Sequence, residues 1–239
     1  ALIYPIFITV ATLGLTLLLT AFIFPKIVPI FTSLHIKIPM VTRILISVSD
    51  FLRFHGLFLV LTIAVLSVVY AIVLKKWKAF RFWQQSIFLK IPIMGGIIKN
   101  YNASNFCRTL GLLLKGGIEL SEAILITAES TGNMVYKKEL LNISQSVIRG
   151  ERISGGLELR SDLFPDTLYH MVAVGETTGN LSGTFLYLSE LFEREVEDSA
   201  RNLSGTIEPI LMIVMGLLVG LVAVSVITPI YDITSHLRR

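Results

Sequence analysis

Two six-residue stretches hold the most suggestive polar chemistry in the chain: Ala128-Glu129-Ser130-Thr131-Gly132-Asn133 and Gly175-Glu176-Thr177-Thr178-Gly179-Asn180. Each reads as a helix end with a glutamate in its last turn, a glycine able to take positive φ, and an asparagine suited to cap the next helix. A carboxylate has the wrong sign for a helix C-terminus. Glu129 and Glu176 therefore need compensation, from a neighbouring cation, a backbone donor, a partner protein's Lys or Arg, or a divalent ion. The plainer alternative is a turn that only reverses the chain. Glu176, Glu129, Gly179 and Asn180 are candidates for partner contact, and so is Glu208, an acid just before Pro209 at the edge of an apolar run.

Other reactive residue types do not assemble into a pattern. His35, His55, His170 and His236 lie in separate regions, without an H-E-x-x-H motif and with Cys107 the single cysteine, so no metal site is expected. No Walker A loop, Rossmann glycine pattern or G-x-S-x-G elbow occurs, and the apolar runs carry no interior charge of the kind proton-coupled transporters use. The expectation is a protein with no catalytic residues and no cofactor. Cys107 reads as a small buried apolar residue.

The elements that position these turns are helical. Between residues 99 and 204 apolar residues recur at helical spacing, which predicts about six helices. They run over residues 102–115, stopped by Gly116-Gly117; from Ser121, read as an N-cap, to 130; over 133–148, ending at Gly150; near 155–160; from Phe164 or Pro165 to 176; and onward from Asn180. In the last, Leu181, Phe185, Leu188, Phe192 and Val196 form one apolar stripe. Glu190 with Arg194 and Glu197 with Arg201 are spaced as i to i+4 ion pairs on the other side. With no proline before Pro209, this helix would carry the chain about 40 Å, at about 1.5 Å per residue, to a membrane surface. Asn180-Leu-Ser-Gly-Thr184 recurs as Asn202-Leu-Ser-Gly-Thr206, suggesting close packing at Gly183 and Gly205, with Gly205 also able to bend the rod.

A mean hydropathy of +0.72, with 16% charged residues, is too apolar for an ordinary soluble chain. Three uncharged runs are long enough to cross a bilayer. The reading is an all-α membrane protein with three transmembrane helices, 1–24, 56–74 and 206–231, and one cytoplasmic antiparallel helical bundle over 99–205. Residues 25–55 form an extracytoplasmic loop, 75–98 a basic interfacial segment, and 232–239 an extracytoplasmic tail. Orientation follows from Lys75, Lys76, Lys78, Arg81, Lys90 and Lys99, which face no acid and mark the cytoplasmic side. Trp77, Phe80, Phe82 and Trp83 among them suit an interfacial belt on a lipid bilayer. From residue 75 to 208 there are 15 basic and 15 acidic side chains, so nucleic acid is not an expected partner. Gly216 and Gly220, with Ala223 on the same small face, are helix-packing candidates.

In combination these features resemble a known family. Tyr4-Pro5, Phe24-Pro25-Lys26, Ile38-Pro39-x-x-Thr42-Arg43, Phe106-Cys-Arg-Thr-Leu110 and Leu114-Lys-Gly-Gly117 all contribute. So do Phe164-Pro165, Val174-Gly-Glu-Thr-Thr-Gly-Asn-Leu181 and Glu208-Pro209. Together they resemble the type II secretion F-domain family, inner-membrane platform proteins of type II secretion and type IV pilus machines. The resemblance implies a multi-pass protein of the bacterial inner membrane with no catalysis of its own. Its implied partners are a cytoplasmic assembly ATPase, pilin or pseudopilin subunits and other inner-membrane assembly proteins, with self-association into a homo-oligomer. Members usually carry a first cytoplasmic domain before the first span, and this chain starts at Ala1 with only the second. Gly155-Gly156 departs from the helical sequence expected there. A transporter or channel subunit is the alternative, and an intramembrane enzyme a third.

Overall fold

In the computed structural model of this chain the described residues are 7–12, 14 and 40–237. Their regular structure is helical throughout, with no strand among the described residues. Residues 7–12 are helical, and the labelled elements are α1 (Met40–Lys76), α2 (Lys78–Phe88), α3 (Met94–Lys115), α4 (Leu120–Ser130), α5 (Met134–Ile148), α6 (Ile153–Glu158), α7 (Asp166–Thr178) and α8 (Leu181–Leu237). Contacts divide the chain into one unit of Tyr70–Ala200 and another of Ala1–Val69 with Arg201–Arg239.

The Tyr70–Ala200 unit is built on an aromatic cluster in which each ring comes from a different part of the chain. Phe106 of α3 meets Phe185 of α8 edge-on at 5.6 Å, and lies 5.9 Å from Phe164. Phe164, in the α6–α7 connection, takes Tyr136 of α5 edge-on at 5.3 Å. All four side chains are buried, and full burial of a phenylalanine stabilises by roughly 2–3 kcal/mol. The Tyr136 hydroxyl donates to the Leu163 carbonyl at 2.6 Å, which satisfies the one polar atom of the cluster. Ser104 of α3 donates to the Ser189 carbonyl of α8 at 3.0 Å. At Gly111 an added Cβ would stand 3.0 Å from the Leu186 backbone nitrogen, so glycine sets the approach of these two helices.

Three helix ends follow one pattern. At Gly117, Gly150 and Gly179 the chain takes positive φ, and the next N–H closes back on the helix: Ile118 on Leu113, Glu151 on Ser146, Asn180 on Gly175. Each is a Schellman stop, which needs a residue free of the Cβ penalty.

Other expectations are corrected. α3 begins at Met94, well before residue 102, because Gly95-Gly96 is no helix breaker here; a Cβ on Gly95 would lie 2.3 Å from the Leu89 carbonyl oxygen. Ser121 is not the cap of α4. That position is Glu119, to whose carboxylate Ser121 donates at 3.1 Å. Pro165 precedes the first turn of α7 in extended conformation. The stretch 75–98 is partly drawn into the bundle: α2 packs Phe82 against the core, Leu89 is buried, and Trp77 and Trp83 stay exposed.

α1 starts at Met40, within the stretch read as loop 25–55. Its segment Phe54–Lys76, with hydropathy 2.9, is the candidate membrane span found among the described residues. The first expected span, 1–24, lies largely outside them, as do residues 25–39 of the loop and residues 238–239 of the tail. The third, 206–231, is a stretch of α8, with several side chains outside the description. Of the predicted α8 stripe Phe185, Leu188 and Phe192 are buried, while Leu181 and Val196 at its ends are half-buried. Of the two predicted ion pairs Glu190–Arg194 forms, at 3.5 Å. Glu197 and Arg201, both exposed, form none, as the entropy of holding two long side chains together allows. Pro209 sits inside α8 and lacks an N–H, so it cannot donate the usual bond to the Gly205 carbonyl four residues earlier.

Candidate functional site

Glu176 lies in the last turn of α7, beside the Schellman stop at Gly179. Gly179 N–H bonds the Glu176 carbonyl at 3.4 Å and Asn180 N–H the Gly175 carbonyl at 3.0 Å. Asn180 then caps α8, its Oδ1 accepting from Gly183 N at 3.1 Å. α7 and α8 come close where Gly175 faces Thr184, since an added Cβ would meet Thr184 Oγ1 at 2.6 Å.

The Glu176 carboxylate reaches across to α6. Its Oε1 accepts from Ile153 N at 2.7 Å, and its Oε2 accepts from Ser154 N at 3.4 Å and from the Ser154 hydroxyl. Among the four kinds of compensation open from sequence, the structure supplies the backbone donor. A side chain from another helix thereby takes the place of an N-cap on α6, whose own Arg152 makes no side-chain cap bond. The carboxylate also has the right sign for that end. This explains how the Gly155-Gly156 segment stays helical. Gly156 has a second reason: a Cβ there would lie 3.2 Å from Ile143 of α5.

The sister turn is held differently. Asn133 caps α5 by accepting from Val135 N at 2.9 Å and Tyr136 N at 3.4 Å. Gly132, however, stays out of the left-handed region, and the chain leaves α4 through Thr131 at φ −71°, ψ 120°. The grip comes from α2: the Arg81 guanidinium donates to the Gly132 carbonyl at 2.8 Å, and Gln85 Oε1 accepts from Met134 N at 2.8 Å. The Glu129 side chain is exposed, and Lys137 Nζ donates to the Glu129 carbonyl at 3.5 Å.

A third polar group ties α5 to the α6–α7 connection. Arg160 pairs with Glu139 and donates to both oxygens of Asp162, at 2.9 and 3.1 Å. The Arg160 hydrogen bond holds the Asp162 carboxyl below the ordinary carboxylate value. Burial, with Asp162 adding to it, pushes the Tyr136 hydroxyl up, and burial alone pushes the Cys107 thiol up.

At the Glu176 turn Gly179 and Asn180 are exposed; the remaining candidates are apart from these groups in sequence, and Glu208 is half-buried. Gly216 and Gly220 have nothing within 4 Å of an added Cβ among the described residues, and the same holds for Gly205. The three atoms nearest an added Cβ on Gly183 all belong to the Asn180 side chain, so among the described residues neither glycine marks the expected close packing; in the first pentapeptide it is Thr184 that packs between helices, against Gly175. In the first copy the asparagine caps α8, and in both the threonine hydroxyl donates back to the asparagine carbonyl, at 2.8 and 3.0 Å. Sequence reasoning missed Ser154, Arg81 and Gln85. The unexpected glycine pair beside Ser154 was the available signal for the first, and nothing local marks the other two.

The model of the family described as type II secretion system (T2SS), protein F matches residues 106–229. The chain is 30% identical to the type IV pilus assembly protein PilC of Thermus thermophilus, over 99% of this chain and 58% of that protein. It is 28% identical to PilC of Pseudomonas aeruginosa, over 98% and 62%, and 29% identical to that organism's type II secretion system protein F, over 98% and 57%. The chain spans about three-fifths of the length of these relatives.

Proposed function

Because the chain belongs to the type II secretion system protein F family, we propose that it is part of a non-catalytic inner-membrane platform for type IV pilus assembly or type II protein secretion. The observation that carries this is the family match, which takes in both the bundle and the part of α8 read as a span. Pilus assembly and type II secretion are what the relatives' names state of those proteins.

In this reading three helices cross the membrane and the bundle over residues 99–205 is cytoplasmic. The platform couples an assembly ATPase to the movement of pilin or pseudopilin subunits, beside other inner-membrane components and further copies of itself. The ATP chemistry belongs to the partner. Exposed Glu129, Gly179 and Asn180 offer contact points, whereas Glu176 shapes the bundle that presents them. Gly216, Gly220 and Ala223 suit helix packing within the bilayer.

Deleting the gene in its host and restoring it tests the role. Filament assembly or secretion should be lost and recovered, and the tagged protein should bring an assembly ATPase out of solubilised membranes. Normal assembly and secretion after deletion would overturn the proposal.

A further inference from the structure

Between α2 and α3 the chain turns through residues 89–93 beside a cleft of about 640 Å³. This lies in the range of about 300–1,000 Å³ that takes an organic ligand rather than a small ion. Lys90 and Lys99 line it with Arg160 and Asp162, and the apolar part of the lining includes Ile91, Pro92 and Ile93.

We propose that this cleft binds an anionic phospholipid, with the headgroup phosphate on Lys90 and Lys99 and the start of an acyl chain along the 91–93 turn. The inference rests on the reading that Phe54–Lys76 crosses a membrane, and not on the pilus or secretion role.

Charge supports it first. Asp162 would oppose an anion, but Arg160 covers both of its carboxylate oxygens. The Lys90 and Lys99 ammonium groups take part in no ion pair or hydrogen bond among the described residues, and Lys99 feels Asp162 only at longer range. Two ammonium groups without a bonded partner therefore border the cleft.

Apolar exposure supports it next. Ile93 is 68% exposed and Met94 43%, in a turn that water alone would leave unrewarded. A free phosphate satisfies the lysines and leaves these side chains wet, whereas a phospholipid satisfies both. The stretch also follows the candidate span in the chain, where basic residues meet anionic headgroups.

The test uses the full chain, purified in neutral detergent and stripped of lipid, with native mass spectrometry as the readout. The probes are phosphatidylglycerol, phosphatidylcholine of the same acyl chains, and inorganic phosphate as competitor. The wild type should prefer phosphatidylglycerol, and phosphate at equal concentration should not displace it. Replacing both residues, Lys90→Gln and Lys99→Gln, should weaken phosphatidylglycerol binding roughly thirtyfold, from about fivefold per lysine. Phosphatidylcholine binding should be unchanged, and Lys90→Arg with Lys99→Arg should retain the preference. Lys75→Gln with Lys76→Gln should have a smaller effect.

Equal binding by wild type and the glutamine pair would overturn the proposal. So would an equal loss on changing Lys75 and Lys76, which indicates a diffuse basic surface, or displacement by phosphate, which indicates a simple anion site. A chain without the preference that still supports assembly or secretion would remove the lipid site and leave the platform reading intact.

Discussion

The Glu176 carboxylate caps a helix to which it does not belong, taking the Ile153 amide at 2.7 Å. The sequence points Glu176 at a partner or a cation, and the fold already gives it three donors. Glu176→Ala should destabilise the bundle by about 0.5–2 kcal/mol, the range for loss of a helix cap. Glu176→Gln, which keeps an acceptor, should cost less. Thermal melts of both variants check this, with a Ser154→Ala cycle to measure the coupling. Unchanged melting in Glu176→Ala would count against the capping role.

Gly175 is where α7 and α8 meet most closely at their joint. Gly175→Ala places a methyl 2.6 Å from Thr184 Oγ1 and 3.0 Å from its Cβ, and should cost about 1–3 kcal/mol. Adding Thr184→Ala removes the nearer contact and should recover part of that loss. Denaturant midpoints of the single and double variants test it.

Asp162 gives an acid-dependent term. Its folded carboxyl titrates below the ordinary value of 3.8, chiefly through the Arg160 hydrogen bond. A depressed carboxylate contributes stability that is present above its unfolded pKa and lost as pH falls through the folded one. Asp162→Asn should therefore lower stability at pH 7, and the gap should close below the normal carboxylate range. The side chain is 65% exposed, so screening holds the effect under about 1 kcal/mol. Melting curves from pH 7 down to acid unfolding show whether the two proteins converge.

Cys107 is wholly buried and its thiol is pushed up by that burial. An impermeant maleimide should not label it in native protein on either side of a membrane, and should label it fully in denaturant. Topology therefore has to be read elsewhere. In a Cys107→Ala background, Lys115→Cys, at an exposed position, should react only after the inner membrane is breached. Labelling from outside would reverse the orientation.

How much was legible in advance depended on the range of the interaction. The Schellman stops at Gly117, Gly150 and Gly179 and the caps at Asn133 and Asn180 are local events, set by one residue's allowed φ or one side chain's reach. The α8 stripe was legible for a similar reason, since helical period decides burial. What stayed hidden was set across the fold. The start of α3 at Met94 is one such feature, since nothing local shows that Leu89 folds back over Gly95. The two turns looked alike, yet one is gripped from α2 and the other reaches to α6, over sequence separations no motif encodes. Glu176 reads from the sequence as a carboxylate needing compensation, and the donors it meets are two amides and a hydroxyl within the same chain.

The proline inside α8 leaves its own mark on how that helix answers load. An α-helix is stiff because bending stretches the backbone hydrogen bonds along its convex side. The Gly205 carbonyl lacks the bond from residue 209, and among the described residues nothing lies within 4 Å of an added Cβ there. Compliance is therefore concentrated in one turn, and a pull on α8 should be absorbed between Gly205 and Pro209 before the capped end at Asn180 yields.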